Sequence, residues 1–207
     1  MKKLFIAAIA VFGFTTANAQ YTAEKGDLQT SVDFRPFNNG GQEMFENVGI
    51  NVSYFLADKH AIRVGLNFGL ESQKDTKKNT EFGFTVGYEN HFKSYDRVDL
   101  YAGVQAGLDF KSAKTPGMKS DGSVVMLKDA SNSNTAFGVG VFTGINFYVY
   151  KKLYVGAEIG FNFKNTSYKK GESLNSKDEV VTDPEAAPSK SELNFAVNPA
   201  LRLGWTF

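Results

Sequence analysis

Leu100-Tyr101-Ala102-Gly103-Val104-Gln105-Ala106-Gly107-Leu108-Asp109-Phe110 changes character at every step. Leu100, Ala102, Val104, Ala106, Leu108 and Phe110 make one row, and Tyr101, Gly103, Gln105, Gly107 and Asp109 make the other. A strand sends successive side chains to opposite faces, whereas a helix returns to one face every 3.6 residues, so this run reads as a strand with one apolar side. The same alternation recurs along the chain. Ile62 to Leu70, Phe82 to Tyr88, Phe137 to Phe147 and Leu153 to Phe163 repeat it, and a last run goes from Leu193 to Phe207. Two weaker runs precede them, Leu28 to Phe34 and Val48 to Tyr54. Each is close to the roughly 9–11 residues that a tilted strand needs to cross a bilayer.

The connections alternate in length. Short links lie near Ala57-Asp58-Lys59, Lys93-Ser94-Tyr95-Asp96 and Tyr150-Lys151-Lys152, and longer polar segments cover 38–47, 72–80, 111–134 and 165–191. Short turns at one end and long loops at the other are the pattern of outer-membrane barrels. Within the third and fourth loops, Val124 to Leu127 and Glu179 to Val181 are too short to cross a membrane and are expected to extend hairpins above it. A soluble, ligand-filled barrel also alternates, but with its apolar face inward. Here the polar face is Gly, Asn, Ser and a few charges of both signs, while Lys gathers in turns and loops. That face suits a narrow lumen with room for small residues and compact pairs, not a solvated surface. The expected fold is therefore all-β, an eight-stranded antiparallel up-and-down transmembrane β-barrel. Pro199 falls in the last strand and cannot donate to the ladder, so a local bulge is expected there.

Lys2 and Lys3 precede an apolar stretch from Leu4 to Phe14, and Ala17-Asn18-Ala19 supplies a small-x-small cleavage site before Gln20. A membrane-spanning helix needs about 20 apolar residues, and this stretch is shorter. Residues 1–19 are expected to be a cleaved signal peptide and 20–207 the barrel domain. With no Cys there is neither a lipid-attachment cysteine nor a disulfide framework. The chain has 23 basic and 22 acidic residues, a balance that gives no support to nucleic-acid binding.

The chain closes on Leu201-Arg202-Leu203-Gly204-Trp205-Thr206-Phe207. Leu203, Trp205 and the terminal Phe207 resemble the carboxy-terminal assembly signal of outer-membrane proteins. In strand pattern, loop asymmetry and carboxy terminus the chain resembles the small OmpA/OmpX-type outer-membrane β-barrel domain family, in its stand-alone form. The resemblance implies a bacterial outer-membrane location with periplasmic termini. It also implies outer-membrane lipid, lipopolysaccharide and the barrel-assembly machinery as partners. No periplasmic domain is expected after the last strand, and cell-wall anchoring is not implied.

Some barrels of this size are lipid-modifying enzymes that use His, Ser and an acid near the outer rim. His60 and His91 fall instead at the short-turn end, where His91 and Ser94 read as residues of a mobile turn without an orienting acid. The GVGVFTG segment with Gly138 and Gly140 lies inside a strand and opens no helix, so it is not a phosphate loop. No Cys/His metal spacing exists. No catalytic residue, cofactor or metal is expected. The interior charges Asp33, Arg63, Glu89, Glu158 and Arg202 share the lumen face, where ions must pair or pay several kcal/mol each for desolvation. They are expected to plug the lumen. The function expected is structural or surface-interacting, through outer loops whose partner the sequence does not name. The alternative is a porin-like channel for small or hydrophobic solutes, with a lipid-modifying enzyme third.

Overall fold

The computed structural model describes residues 22–34, 48–73, 77–186, 188–194 and 200–207. Ala17, Ala19, Gln20 and Pro199 lie outside them. Twelve strands are present among the described residues: β1 (Leu28–Phe34), β2 (Val48–Ala57), β3 (His60–Gln73), β4 (Lys77–Ser94), β5 (Val98–Met118), β6 (Val124–Lys128), β7 (Asn134–Tyr150), β8 (Leu153–Tyr168), β9 (Lys170–Leu174), β10 (Val180–Ala186), β11 (Lys190–Asn194) and β12 (Ala200–Thr206). Eight of them close a ring in the order β1-β2-β3-β4-β5-β7-β8-β12, with β12 pairing back onto β1 and every neighbour antiparallel. The fold is an eight-stranded up-and-down barrel, and among the described residues the ring closes with no strand left as an edge for lipid to meet.

Cross-strand partners reveal the tilt. From Asp33 one route passes Gly49, Asn67 and Gly83 to Asp109. The opposite route passes Arg202, Gly156 and Asn146 to Asp99. The two routes meet β5 ten residues apart, and that stagger is what inclines strands to a barrel axis. Along β8 the pairing partner changes from β11, with Asn194↔Asn162, to β12, with Ala200↔Glu158.

The apolar rows face outward. Val64, Val86, Val104, Val141, Ile159 and Leu203 are all exposed, as are Phe68, Phe82, Phe110, Phe137 and Phe163 nearer the loop end. Among the described residues no helix is long and apolar enough to cross a membrane. The barrel's outward side chains are what lipid covers.

Above the ring the third and fourth long polar segments are largely strand among the described residues. The upper part of β5 leaves β7 and pairs with β6, β11 pairs the upper part of β8, and β9 and β10 form a separate hairpin. The third and fourth connections are thus ordered hairpins, more regular than their polar sequence suggests.

Candidate functional site

The lumen divides into a filled half near the short turns and a hollow half near the loops. Large rings fill the first: Phe55, Tyr101, Phe142, Tyr148 and Tyr154 are all buried there. This corrects the expectation that the lumen has room only for small residues and compact pairs. Three of the rings fit because they lie over bare backbone on the neighbouring strand. Tyr101 pairs with Gly144 and Phe142 with Gly103, and a Cβ on either glycine would stand 2.3 Å from the side chain opposite. Tyr154 covers Gly204 in the same way, with a Cβ 2.2 Å from its ring. A glycine within a strand commonly marks such a close approach.

The five charges anticipated from sequence converge in this filled half. Arg63 Nη1 lies 3.0 Å from Glu89 Oε1 and 2.7 Å from Glu158 Oε2, and Nη2 donates to Gln105 Oε1 at 3.3 Å. Its guanidinium also sits 3.9 Å from the centre of the Phe142 ring. Arg202 takes Asp33 with Nε and Nη2, and Nη2 reaches Glu158 Oε2 at 2.9 Å. Arg202 Nη1 donates to the Tyr101 hydroxyl, which donates in turn to Glu158. Asn51 Nδ2 donates to Asp33 Oδ2 at 2.8 Å. Glu158 is the hub: one carboxylate joins both guanidiniums and ties β3 to β12 across the barrel.

His91 extends the chain of contacts, contrary to its reading as a turn residue. It is 2 % exposed, with Nδ1 2.5 Å from Asp99 Oδ2 and Nε2 3.6 Å from Glu89 Oε2. Its ring lies between Phe55 and Tyr101, at centroid distances of 4.7 and 5.3 Å. Polar contacts therefore run Asp99–His91–Glu89–Arg63–Glu158–Arg202–Asp33 across the lumen. Ser94 Oγ donates to Asp99 Oδ1 at 2.9 Å, so the carboxylate stands between that hydroxyl and the imidazole. His60 contacts the Tyr88 hydroxyl at the outer surface. Leu203, Trp205 and Phe207 alternate with buried Arg202, Gly204 and Thr206, and Phe207 exchanges both backbone hydrogen bonds with Leu28.

The half nearer the loops holds a cavity of about 560 Å³. Its polar lining includes Asn67, Thr85, Gln105 and Asn162. Two ion pairs border it, Lys111–Glu81 at 2.6 Å and Lys164–Asp109 at 2.8 Å.

Above the cavity two hairpins are joined. Asp178, at the tip of β9–β10, accepts from Ser120 N at 3.0 Å and from Ser120 Oγ at 3.1 Å, at the tip of β5–β6. Asp178 has a φ of 59°, a left-handed conformation that Asp tolerates better than most residues. Lower down, Lys128 N donates to Glu172 Oε2 at 3.1 Å, and Leu127 and Leu174 both reach the bare backbone of Gly117. Fully buried Ser133 anchors the base, bonded to Ala113 through its hydroxyl and to Lys169 N through its carbonyl. At the β5–β6 turn, hydrogen bonds from Ser123 hold the Asp121 carboxyl below the usual carboxylate range.

No curated protein sequence matches the chain. Among solved structures it is similar to the N-terminal β-barrel domain of OprF from Pseudomonas aeruginosa, with 16% identity over 89% of this chain and 100% of that one and a TM-score of 0.38. It is also similar to the outer membrane protein OprG of Pseudomonas aeruginosa, at 10% identity over 91% and 99% of the two chains and a TM-score of 0.49. Neisserial surface protein A gives 13% identity, coverage of 89% and 97%, and a TM-score of 0.41. The outer membrane protein beta-barrel domain family matches residues 5–197, a span that holds every ring strand but β12. With that match, a closed eight-stranded ring and an apolar outer face, the chain belongs to the outer membrane protein beta-barrel domain family and is a protein of the bacterial outer membrane.

Proposed function

We propose that the protein is a closed, surface-presenting barrel whose loop-end hairpins meet lipopolysaccharide or a partner outside the cell. On this reading it is exported by a signal peptide cleaved before Gln20, and both termini are periplasmic. The barrel-assembly machinery reads Leu203, Trp205 and Phe207. The observation that carries the surface role is the joining of the two hairpins at Ser120 and Asp178. It holds them as one platform rather than two free loops, and binding residues are disproportionately carried on loops positioned by a rigid scaffold. Met118, Val124, Val180 and Val181 are exposed on that platform. Closure is supported by the ion-pair chain from Asp99 to Asp33, since narrow eight-stranded interiors are filled by side chains.

The chain has no Cys, so single cysteines report topology cleanly. An Asp121→Cys variant should react with a membrane-impermeant maleimide on intact cells, and Asp58→Cys after lysis alone. The reverse pattern overturns the orientation. In planar bilayers the purified protein should give no steady conductance, and a steady current would replace this reading with the channel.

A further inference from the structure

We propose that the hollow half of the lumen is a binding site for a small, uncharged, polyhydroxylated solute of the size of a mono- or disaccharide. A volume of about 560 Å³ is within the range of about 300–1,000 Å³ of small-molecule sites. Its floor is the Arg63–Gln105 contact and the ion pairs beneath it, so a solute entering from the loop end stops there.

The chemistry of the lining selects the class. Glu81 and Lys111 are paired, as are Asp109 and Lys164, so the wall offers no excess charge to an ion. A zwitterion reaches the same groups, but beside each the opposite charge of the pair cancels most of its Coulomb gain, while the cost of desolvating its own charges remains. A hydroxyl has no charge to desolvate. Each ammonium has three N–H donors and each carboxylate about four lone-pair sites, so a closed pair keeps unused donors beside unused acceptors. One hydroxyl accepts from the first and donates to the second. Asn67, Gln105 and Asn162 add amides that also do both. An apolar ligand finds little here, because Phe82, Phe110, Phe137 and Phe163 at this height are exposed on the barrel's outer face. The pairs are half-open to solvent, with side-chain exposures of 34–47%, so their spare groups are within a solute's reach.

Gly138 gives the test. A Cβ there would meet just one atom within 4 Å, Phe163 O at 3.4 Å, so the wall has room for it, and a larger side chain at this lining position takes up cavity volume. Titration calorimetry of the purified full-length barrel in detergent, with glucose and maltose, should show weak saturable binding. Glycine and inorganic phosphate should give none. Gly138→Leu should weaken sugar binding by about tenfold or more, which is about 1.4 kcal/mol. Asp109→Asn should weaken it too, and folding of both variants is checked by their heat-modifiable gel shift. Absence of saturable sugar binding overturns the proposal, as does tighter binding of glycine or phosphate. Binding that survives unchanged in a folded Gly138→Leu variant puts the sugar elsewhere and overturns the site. Conductance in bilayers would overturn the closed-barrel reading and leave this one standing.

Discussion

Arg202 and Asp33 stand directly opposite each other on β12 and β1, and the guanidinium holds both carboxylate oxygens, Nε at 2.9 Å and Nη2 at 3.2 Å. These are the last and first strands of the ring, so the pair lies across the seam where the barrel closes. Arg202 is 4 % exposed and Asp33 8 %. Removing one member of such a pair leaves the other charged, buried and unpaired. Arg202→Met should therefore cost about 3–5 kcal/mol in equilibrium unfolding from detergent or lipid. Adding Asp33→Asn should recover part of that loss, and a double-mutant cycle measures the coupling. Additive effects near zero would put these charges in bulk water and open the lumen.

The imidazole of His91 makes a second forecast. His91→Phe keeps a ring between Phe55 and Tyr101 but strips Asp99 Oδ2 of its 2.5 Å partner. A buried acceptor left unsatisfied costs about 1–3 kcal/mol, and more when charged. Urea unfolding should show at least that loss, whereas Ser94→Ala, which leaves the imidazole contact in place, should cost less. A His91→Phe barrel as stable as wild type would mean that ring packing alone holds this corner.

His91 also shows where sequence reading reaches and where it stops. Alternation from Phe82 to Tyr88 identifies the strand and puts Glu89 inside, and His91 has the same parity as Glu89. The strand runs on to Ser94, past an irregularity between Asn90 and Lys93, and β5 begins at Val98 rather than Leu100. Strand ends carry the weakest periodic signal, so both His91 and its partner Asp99 fell just outside the segments that alternation defines. Arg63, Glu158 and Arg202 sit well inside theirs, and parity alone brought them to one face. Tyr101 and Phe142 were legible as lumen residues but not as large ones that fit. Their fit depends on Gly144 and Gly103 across the strand pair, and register is what a single sequence does not display. The hairpins above the ring were legible in Val124 to Leu127 and Glu179 to Val181, but the contact that joins their tips, Ser120 to Asp178, was not, because no local pattern encodes it.

The two faces of β7 should respond in opposite ways. Val104 and Val141 are cross-strand partners, both exposed on the outer face. Val141→Arg should cost about 2–4 kcal/mol in folding into bilayers if it lies near the midplane. Gly138→Ser, on the lumen face, should be close to neutral, because its Cβ would meet Phe163 O alone, at 3.4 Å. Gly140 differs from Gly138, although periodicity treats them alike. A Cβ there would stand 2.6 Å from Phe161 O and 2.1 Å from Asn162 Oδ1, so Gly140→Ser should cost about 1–3 kcal/mol by overpacking. Equal penalties for Val141→Arg and Gly138→Ser would mean that the faces are assigned the wrong way round.

The joined hairpins should separate from the barrel in their energetics. Asp178→Ala removes both bonds to Ser120, and at an exposed site each is worth about 0.5–1.5 kcal/mol. Few other polar contacts join the tips, so the loss falls on local opening rather than on global unfolding. Amide exchange at 120–123 and 176–180 should quicken, and limited proteolysis should nick the β9–β10 turn sooner. The heat-modifiable gel shift should stay as in wild type, because the ring strands keep their pairings. Asp178→Asn keeps an acceptor oxygen for one of the two bonds and tolerates the left-handed backbone, so it should fall between wild type and alanine. If Asp178→Ala exchanges and cleaves like wild type, the platform is held by the packing of Leu127 and Leu174 over Gly117, and the tip contact is incidental.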